Sequence, residues 1–402
     1  MAFSIKDLSD ALKGHAAAFR CRTVYQPMAG EGTTVFPSTY EGGKYATVGY
    51  RDEKTGYRSD DEKGKKLADQ VVLDSVQSQA NRMELALLDA WQDGRIKLPI
   101  VTVDFSGNEL EKDLRITSLE APHRIADAIL RDSLLDGKPF RQSELGKMLD
   151  YVDLRNATAL FRICPTALVF GVWDSTGPKG GLGAKFQRAI VSELIGLNAQ
   201  IGVKTASRID PLQCRAAVRV MPQKDGSWKV AADGKAKGAV SPAEVNHGNI
   251  PPSQSDGGVT IDHALQTTVI SLPSLRRLRF PLKPGERSDA KVDAAAQTAL
   301  AALALCAAAL ARESGCDLRS RCQLFPTEAI QWELLDKPGQ APTKIDMDAD
   351  AAIALFNTAV DAAKKAGLPW MDEELVLKPS PQLVDLVKKS QELSAATTAG
   401  DE

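Results

Sequence analysis

The densest group of phosphate-capable residues lies in WDSTGPKGGLGAKFQRA, from Trp173 to Ala189. Gly177, Gly180, Gly181 and Gly183 let backbone N–H groups approach an anion closely, because no Cβ stands in the way. Lys179, Lys185 and Arg188 add fixed positive charge. The sequence predicts a strand over Thr166–Trp173, then the glycine-rich loop, then a helix from Ala184 to about Leu197. A helix placed there would turn unsatisfied N–H groups and the positive end of its dipole toward the loop. From Thr176 to Arg208 there are five basic residues (Lys179, Lys185, Arg188, Lys204, Arg208) against one acid, Glu193. The competing reading is a tight turn whose charges are merely solvated.

The spacing does not suit a nucleotide-hydrolysing P-loop, which needs GxxxxGK followed by Ser or Thr. Here Ala184 and Lys185 follow Gly183. Downstream, Lys204, Thr205, Ser207 and Arg208 form a short run of donors able to position a phosphate backbone. A second basic segment, Ser271 to Arg287, carries Arg276, Arg277, Arg279, Lys283 and Arg287 against Glu286 alone. Arginine forks onto phosphates and stacks on bases. A solvated turn accounts for the same residues. A third patch, SQANR, sets Ser78 and Arg82 one helical turn apart, where they could meet a sugar–phosphate chain or simply face water.

Catalytic constellations are weakly represented. His15, His123, His247 and His263 are far apart in sequence, and none lies in HExxH. Asp346, Asp348 and Asp350 open like a calcium loop, but Ala351 stands where that loop needs glycine. The six cysteines form no CxxC pair, and GxSxG is absent. The expectation is a protein without catalytic residues, metal or cofactor. Aromatic residues are 5% of the chain, so stacking platforms are few. Phe36, Tyr40, Tyr45, Tyr50 and Trp228 are the candidates, with loop anchoring as the alternative role.

These side chains need a framework. Strands are expected at Arg20–Tyr25, Pro99–Phe105, Val203–Arg208, Arg215–Met221, His263–Leu272, Leu318–Phe325 and Ala329–Leu335. Helices are expected over Leu67–Trp91, Ser118–Leu135, Gln142–Leu149, Asp289–Ser314, Asp348–Ala366 and beyond Ser380. Strands and helices mix without regular alternation, which favours α+β over a doubly wound sheet. The proposed core is βαββαβ, ferredoxin-like, with strands near 20, 100, 170 and 215 and helices near 80 and 190. The chain reads as one elaborated unit, 1–402. Residues 26–66 form a projecting loop or hairpin and 106–160 a helical insertion. Residues 222–260 form a projecting hairpin, a flexible arm or a thumb-like insertion, and 289–396 complete the core.

Bulk properties set the limits. The 402 residues are 43% hydrophobic and 25% charged, with a formal net charge of −2. Global charge therefore gives nucleic-acid binding no help, and any such site must be local. No apolar N-terminal leader is present, and Thr298–Leu310 is too short and alanine-rich for a bilayer span. A cytoplasmic location without membrane contact is expected.

Several long strings point to one family. They are SVQSQANRME (Ser75–Glu84), LEAPHRIADAILRDS (Leu119–Ser133), ALVFGVWDSTGPKGGLGAKFQRAIVSELIGLNA (Ala167–Ala199), GVKTASRIDPL (Gly202–Leu212) and EVNHGNIPP followed by GGVTIDHALQTTVISLPSLRRLRFP (Glu244–Pro281). The chain resembles the RAMP-superfamily backbone subunit of the type I-U (I-G) Cascade-like CRISPR effector. The resemblance implies a modified RRM-like palm with finger- and thumb-like insertions. It implies identical subunits polymerised along the CRISPR guide RNA, beside other effector subunits, with the target DNA strand paired to the guide. It also implies no nuclease activity in this subunit. It assigns no role to individual residues, so the RNA-binding candidates rest on the chemistry above: Lys179, Gly180, Gly181, Gly183, Lys185, Arg188, Lys204, Ser207, Arg208, Arg276, Arg277, Arg279, Ser78 and Arg82. Two other readings remain: a RAMP-type ribonuclease that processes CRISPR RNA, and a phosphate- or nucleotide-binding enzyme built on the glycine-rich loop.

Overall fold

The computed structural model describes residues 3–51, 67–108, 110, 112–175, 185–215, 217–223, 226–232, 234, 236–283 and 285–398, with backbone alone at 49–51, 67–69, 206, 250–256 and 394–398. The main elements, in chain order, begin with α1 (Ile5–Lys13), β1 (Ala18–Pro27), β2 (Thr47–Arg51), β3 (Leu67–Asp74) and α2 (Val76–Gln92). A block of short elements follows: β4 (Val101–Asp104), β5 (Arg115–Thr117), β6 (Ser133–Leu135), β7 (Lys138–Pro139), α3 (Thr158–Ile163) and α4 (Thr166–Phe170). Next come β8 (Ile190–Leu197), β9 (Gln200–Arg208), β10 (Ile250–Thr260), β11 (His263–Ser271), α5 (Leu272–Arg276) and α6 (Ala290–Leu310). The chain closes with β12 (Cys316–Arg319), β13 (Cys322–Pro326), β14 (Gln331–Leu335), β15 (Thr343–Asp346), α7 (Ala349–Lys365), β16 (Leu375–Pro379) and α8 (Pro381–Thr398).

The result is a mixed α+β fold. Its nine-stranded sheet runs β12-β13-β1-β11-β8-β3-β2, with β14 also on β1 and β15 on β14. The pairs β1–β11, β11–β8 and β1–β14 are all antiparallel. A five-stranded side sheet, β5-β4-β16-β6-β7, joins the early block to the C-terminal strand β16. The hairpin β9–β10 is a separate two-stranded unit.

Alternation along the strands decides which face is covered. In β8, Ile190, Ser192 and Leu194 are buried while Val191 is exposed; in β11, Ala264, Gln266, Thr268 and Ile270 are buried. The opposite face carries Arg20, Arg22 and Val24 of β1 in register with Val269, Thr267 and Leu265, and it is only partly covered. Helices cover the buried face. The central helix α6 is buried along nearly its whole length and touches α1, α2 and α7. Its alanines allow that close approach on several sides. It is long and apolar enough to cross a membrane, but 89% of its apolar window is buried inside the fold.

A polar network lies between α2 and the sheet. Gln79 Nε2 donates to Asp74 Oδ2 (2.6 Å), and Gln79 Oε1 accepts from Ser192 Oγ (2.9 Å) and Gln266 Nε2 (2.5 Å). Tyr25 OH donates to Gln266 Oε1 at 2.8 Å, and Arg312 donates to the Thr268 hydroxyl. Buried amides and hydroxyls that satisfy one another specify a unique packing. This network fixes the rotation of α2 by holding Gln79 inward.

Several expectations are corrected here. The helix expected at Ala184–Leu197 is strand β8, with a period of two rather than 3.6. The apolar run Thr166–Trp173, expected as a central strand, is the buried helix α4 followed by the pair Val172–Trp173; a short continuous apolar run suits either state. Leu67–Trp91 divides at Ser75, whose side chain caps α2, and its first part is β3. The core strands placed near 100, 170 and 215 are not in the main sheet, whose inner strands come from 190–197, 263–271 and 331–335. Residues 106–160 hold short strands as well as helices. The last residues of the segment 222–260 are strand β10, paired with β9. Val220–Pro222 and Trp228–Val230 pair as a short antiparallel hairpin.

Candidate nucleic-acid interface

The Lys179, Gly180, Gly181 and Gly183 positions lie outside the described residues. The two ends of that loop are described, and they are held together. Val172 pairs with Phe186 and Trp173 with Lys185 in a short antiparallel ladder. Gly171 makes the turn into this ladder with φ 84° and ψ 154°, a backbone region open only to glycine. Val172 and Asp174 point inward, and the Asp174 carboxylate accepts from Arg141 Nη2 at 2.8 Å. Trp173 between them is turned outward and is 60% exposed. The Lys185 ammonium sits 5.4 Å from the centre of its ring.

This ladder forms one wall of a cavity of about 500 Å³. Gln77 and Asn81 of α2 form another wall, and Pro122, His123 and Arg124 a third. Lys185, Gln187 and Arg188 complete it. Among the described residues, no Asp or Glu lines the cavity. Among the described residues, neither Lys185 nor Arg188 has a carboxylate within ion-pair distance.

The floor is rigid. Arg124 Nε and Nη2 donate to the two Glu84 carboxylate oxygens at 2.6 and 2.7 Å, and Nη1 donates to the Gly171 carbonyl at 3.0 Å. Arg124 itself has φ 54°, so the fork is reached from an unusual backbone conformation. Burial pushes the Glu84 carboxyl up to about 7, against the pull of the Arg124 guanidinium and its hydrogen bonds. The Glu84 carboxyl and the Gly171 carbonyl already engage the Arg124 guanidinium. Lys185 and Arg188 therefore dominate the potential at the mouth.

The structure distributes the sequence candidates unevenly. It brings Lys185 and Arg188 together with α2. Ser78 and Arg82 do not line the cavity. Ser78 sits in the first turn, its amide bonded to Ser75 Oγ. Arg82 ties Asp74 to the carbonyls of Asp317 and Leu318. The helix presents Gln77 and Asn81 instead, one residue earlier; the Ser75 cap and the inward Gln79 set that phase. Arg276 donates to the carbonyls of Gly14 and Ala16, and Arg279 to those of Arg276 and Leu278, so both hold the local fold. Arg277 is exposed. Its segment reaches the cavity rim through Gln187 Nε2, which donates to Ser274 Oγ at 2.7 Å. Lys204, Ser207 and Arg208 are on the β9–β10 hairpin, away from the cavity lining. Lys204 and Ser207 are exposed, while Arg208 donates to the Gly248 carbonyl. Of the aromatic candidates, Phe36 lies under Arg321 and Trp228 meets His247 edge-on. Trp173 was not among them, although the alternation Val172–Trp173–Asp174 would have marked it as the outward residue.

Taken together, fold and cavity define a mixed α+β protein whose carboxylate-free, cation-lined hollow suits a phosphate-bearing ligand. Residues 19–201 match the family model described as CRISPR-associated protein GSU0053, so this part of the chain is similar to that family. The matched span runs from β1 to the start of β9 and contains every residue lining the cavity. No curated protein matches the chain.

Proposed function

We propose that this protein is a non-catalytic RNA-binding backbone subunit of a type I-U (I-G) CRISPR effector complex, and that the Lys185–Arg188 cavity holds the guide RNA. The observation that carries the reading is the cavity lining: Lys185, Arg188, the Gln77 and Asn81 amides and an exposed indole beside apolar side chains, with no carboxylate among the described residues. A polyanion is attracted to such a surface without its sequence being read, and guide–target base pairing supplies specificity.

The strand order supports an RRM-like palm. Read as β1-α2-β8-β11-α6-β14, the chain gives the spatial order β14-β1-β11-β8, which is the ferredoxin-like order. Both crossover helices lie on one face, and the other is more open. The β9–β10 hairpin is inserted between β8 and β11 and suits a thumb-like role. Identical subunits along one RNA would repeat the small positive patch, so a net charge of −2 is no obstacle. Other effector subunits and the target DNA strand are the remaining partners under this reading, with a cytoplasmic location.

The test uses the purified full chain with single-stranded RNA. Lys179→Glu together with Lys185→Glu should weaken binding for every sequence tried. It should also flatten the salt dependence, by about 0.7 in log–log slope for each lost phosphate contact. Unchanged affinity and slope would remove the basis of the proposal. Precursor RNA should stay intact on incubation; cleavage that disappears in His123→Ala would replace this reading with the ribonuclease one.

A further inference from the structure

We infer that Trp173 is a stacking platform for one unpaired nucleobase, so that the cavity takes a single-stranded nucleotide and not only a phosphate. The inference rests on the RNA-binding reading above and goes beyond it by naming which part of the nucleotide goes where.

Three observations lead to it. First, the indole is presented rigidly. Its neighbours Val172 and Asp174 are buried, and the ladder with Lys185–Phe186 fixes the strand. A large aromatic ring 60% exposed on such a fixed element packs little against the described residues. Second, the ring already attracts a cation, the Lys185 ammonium at 5.4 Å. A lysine held weakly over a π face can swing to a neighbouring phosphate when a base takes its place on the ring. Third, the walls beside the ring carry Gln77 and Asn81, both exposed. Each amide offers donors and an acceptor, so the pair can meet the edge of any base. Unstacked bases in RNA are typically captured in this way, between an aromatic or guanidinium plane and hydrogen-bonding edges. A base inside a duplex has both faces covered and cannot use the site.

The experiment uses the full chain with a fluorescently labelled ten-nucleotide oligouridine and an RNA duplex of equal length as competitor. Wild-type tryptophan emission should be quenched as the single strand binds. The quench should be absent in Trp173→Phe, leaving the four other tryptophans as a constant background. Trp173→Ala should weaken single-strand binding roughly 5- to 150-fold, the range for loss of one base–aromatic contact. Trp173→Phe should recover most of that loss, which a merely structural role for the indole would not require once circular dichroism and urea midpoints match wild type. The duplex should compete poorly. If Trp173→Ala binds as wild type while Lys179→Glu with Lys185→Glu binds weakly, stacking is refuted and phosphate holding stands. If the charge reversals also change nothing, the RNA-binding reading itself falls.

Discussion

Gly171→Ala joins the fold to the site in one substitution. Gly171 has φ 84° and ψ 154°, a region in which a side chain costs about 1–3 kcal/mol. An added Cβ would meet the Phe186 carbonyl oxygen at 3.0 Å and the Arg188 Cγ and backbone N at 3.1 Å. Two of these three are backbone atoms, so a rotamer change cannot relieve the crowding, which adds roughly 1 kcal/mol. The expected destabilisation is about 2–4 kcal/mol, or roughly a thirty- to several-hundred-fold shift in the folded-to-unfolded ratio. Urea unfolding measures it. Gly94→Ala is the reference, because Gly94 also has a positive φ, 71°, but nothing lies within 4 Å of its Cβ position; it should cost about 1–2 kcal/mol. RNA affinity should fall in Gly171→Ala and not in Gly94→Ala, since the Lys185–Arg188 segment must move to make room. The reasoning fails if the two variants are equally stable.

Two more predictions concern the scaffold. Gln79→Leu strips partners from Asp74, Ser192 and Gln266 under α2; it should cost about 1–3 kcal/mol in urea unfolding, and a cost near zero would show that the network contributes no net stability. The Asp210 carboxylate accepts from the backbone N–H groups of Leu212, Cys214 and Gly248, and the bond from Cys214 does most to hold it down to about 2, below its ordinary 3.8. Its contribution is therefore present above about 4 and is lost as pH falls from there to about 2. Asp210→Asn should make the loop end of the β9–β10 hairpin more sensitive to proteolysis at pH 7 and should lack that acid step. Identical cleavage rates and acid profiles for variant and wild type would contradict the assignment.

Much of the element inventory was legible because the physics was local. Strand β1, helix α6, helix α7 and strand β11 each carry a full period and clear ends, so pattern alone located them. The α+β class followed from their irregular order. The errors fell where one sequence suits two states. Thr166–Phe170 is apolar throughout, so neither period is favoured, and only its complete burial beside α3 and α6 makes a helix the better solution. Residues 190–197 interleave apolar and small polar residues, and pairing with β3 and β11 turns them into a strand. Register between strands far apart in sequence is a long-range property that no local window contains.

The candidate site divides in the same way. The sequence by itself determined that Lys185 and Arg188 stand in a local surplus of positive charge beside a glycine-rich stretch, and that no P-loop or zinc pattern accompanies them. It also determined that nucleic-acid binding would have to be local in a chain of net charge −2. Only the tertiary structure decided which arginines are already spent. Arg82, Arg124, Arg276 and Arg279 look like Arg188 in sequence, yet each is tied to a carboxylate or to backbone carbonyls. Only folding placed Gln77, Asn81 and Trp173 around one hollow. The physical reason is that charge and side-chain type are properties of a residue. Whether a donor is free to meet a ligand depends on the acceptors the fold brings within about 3 Å of it.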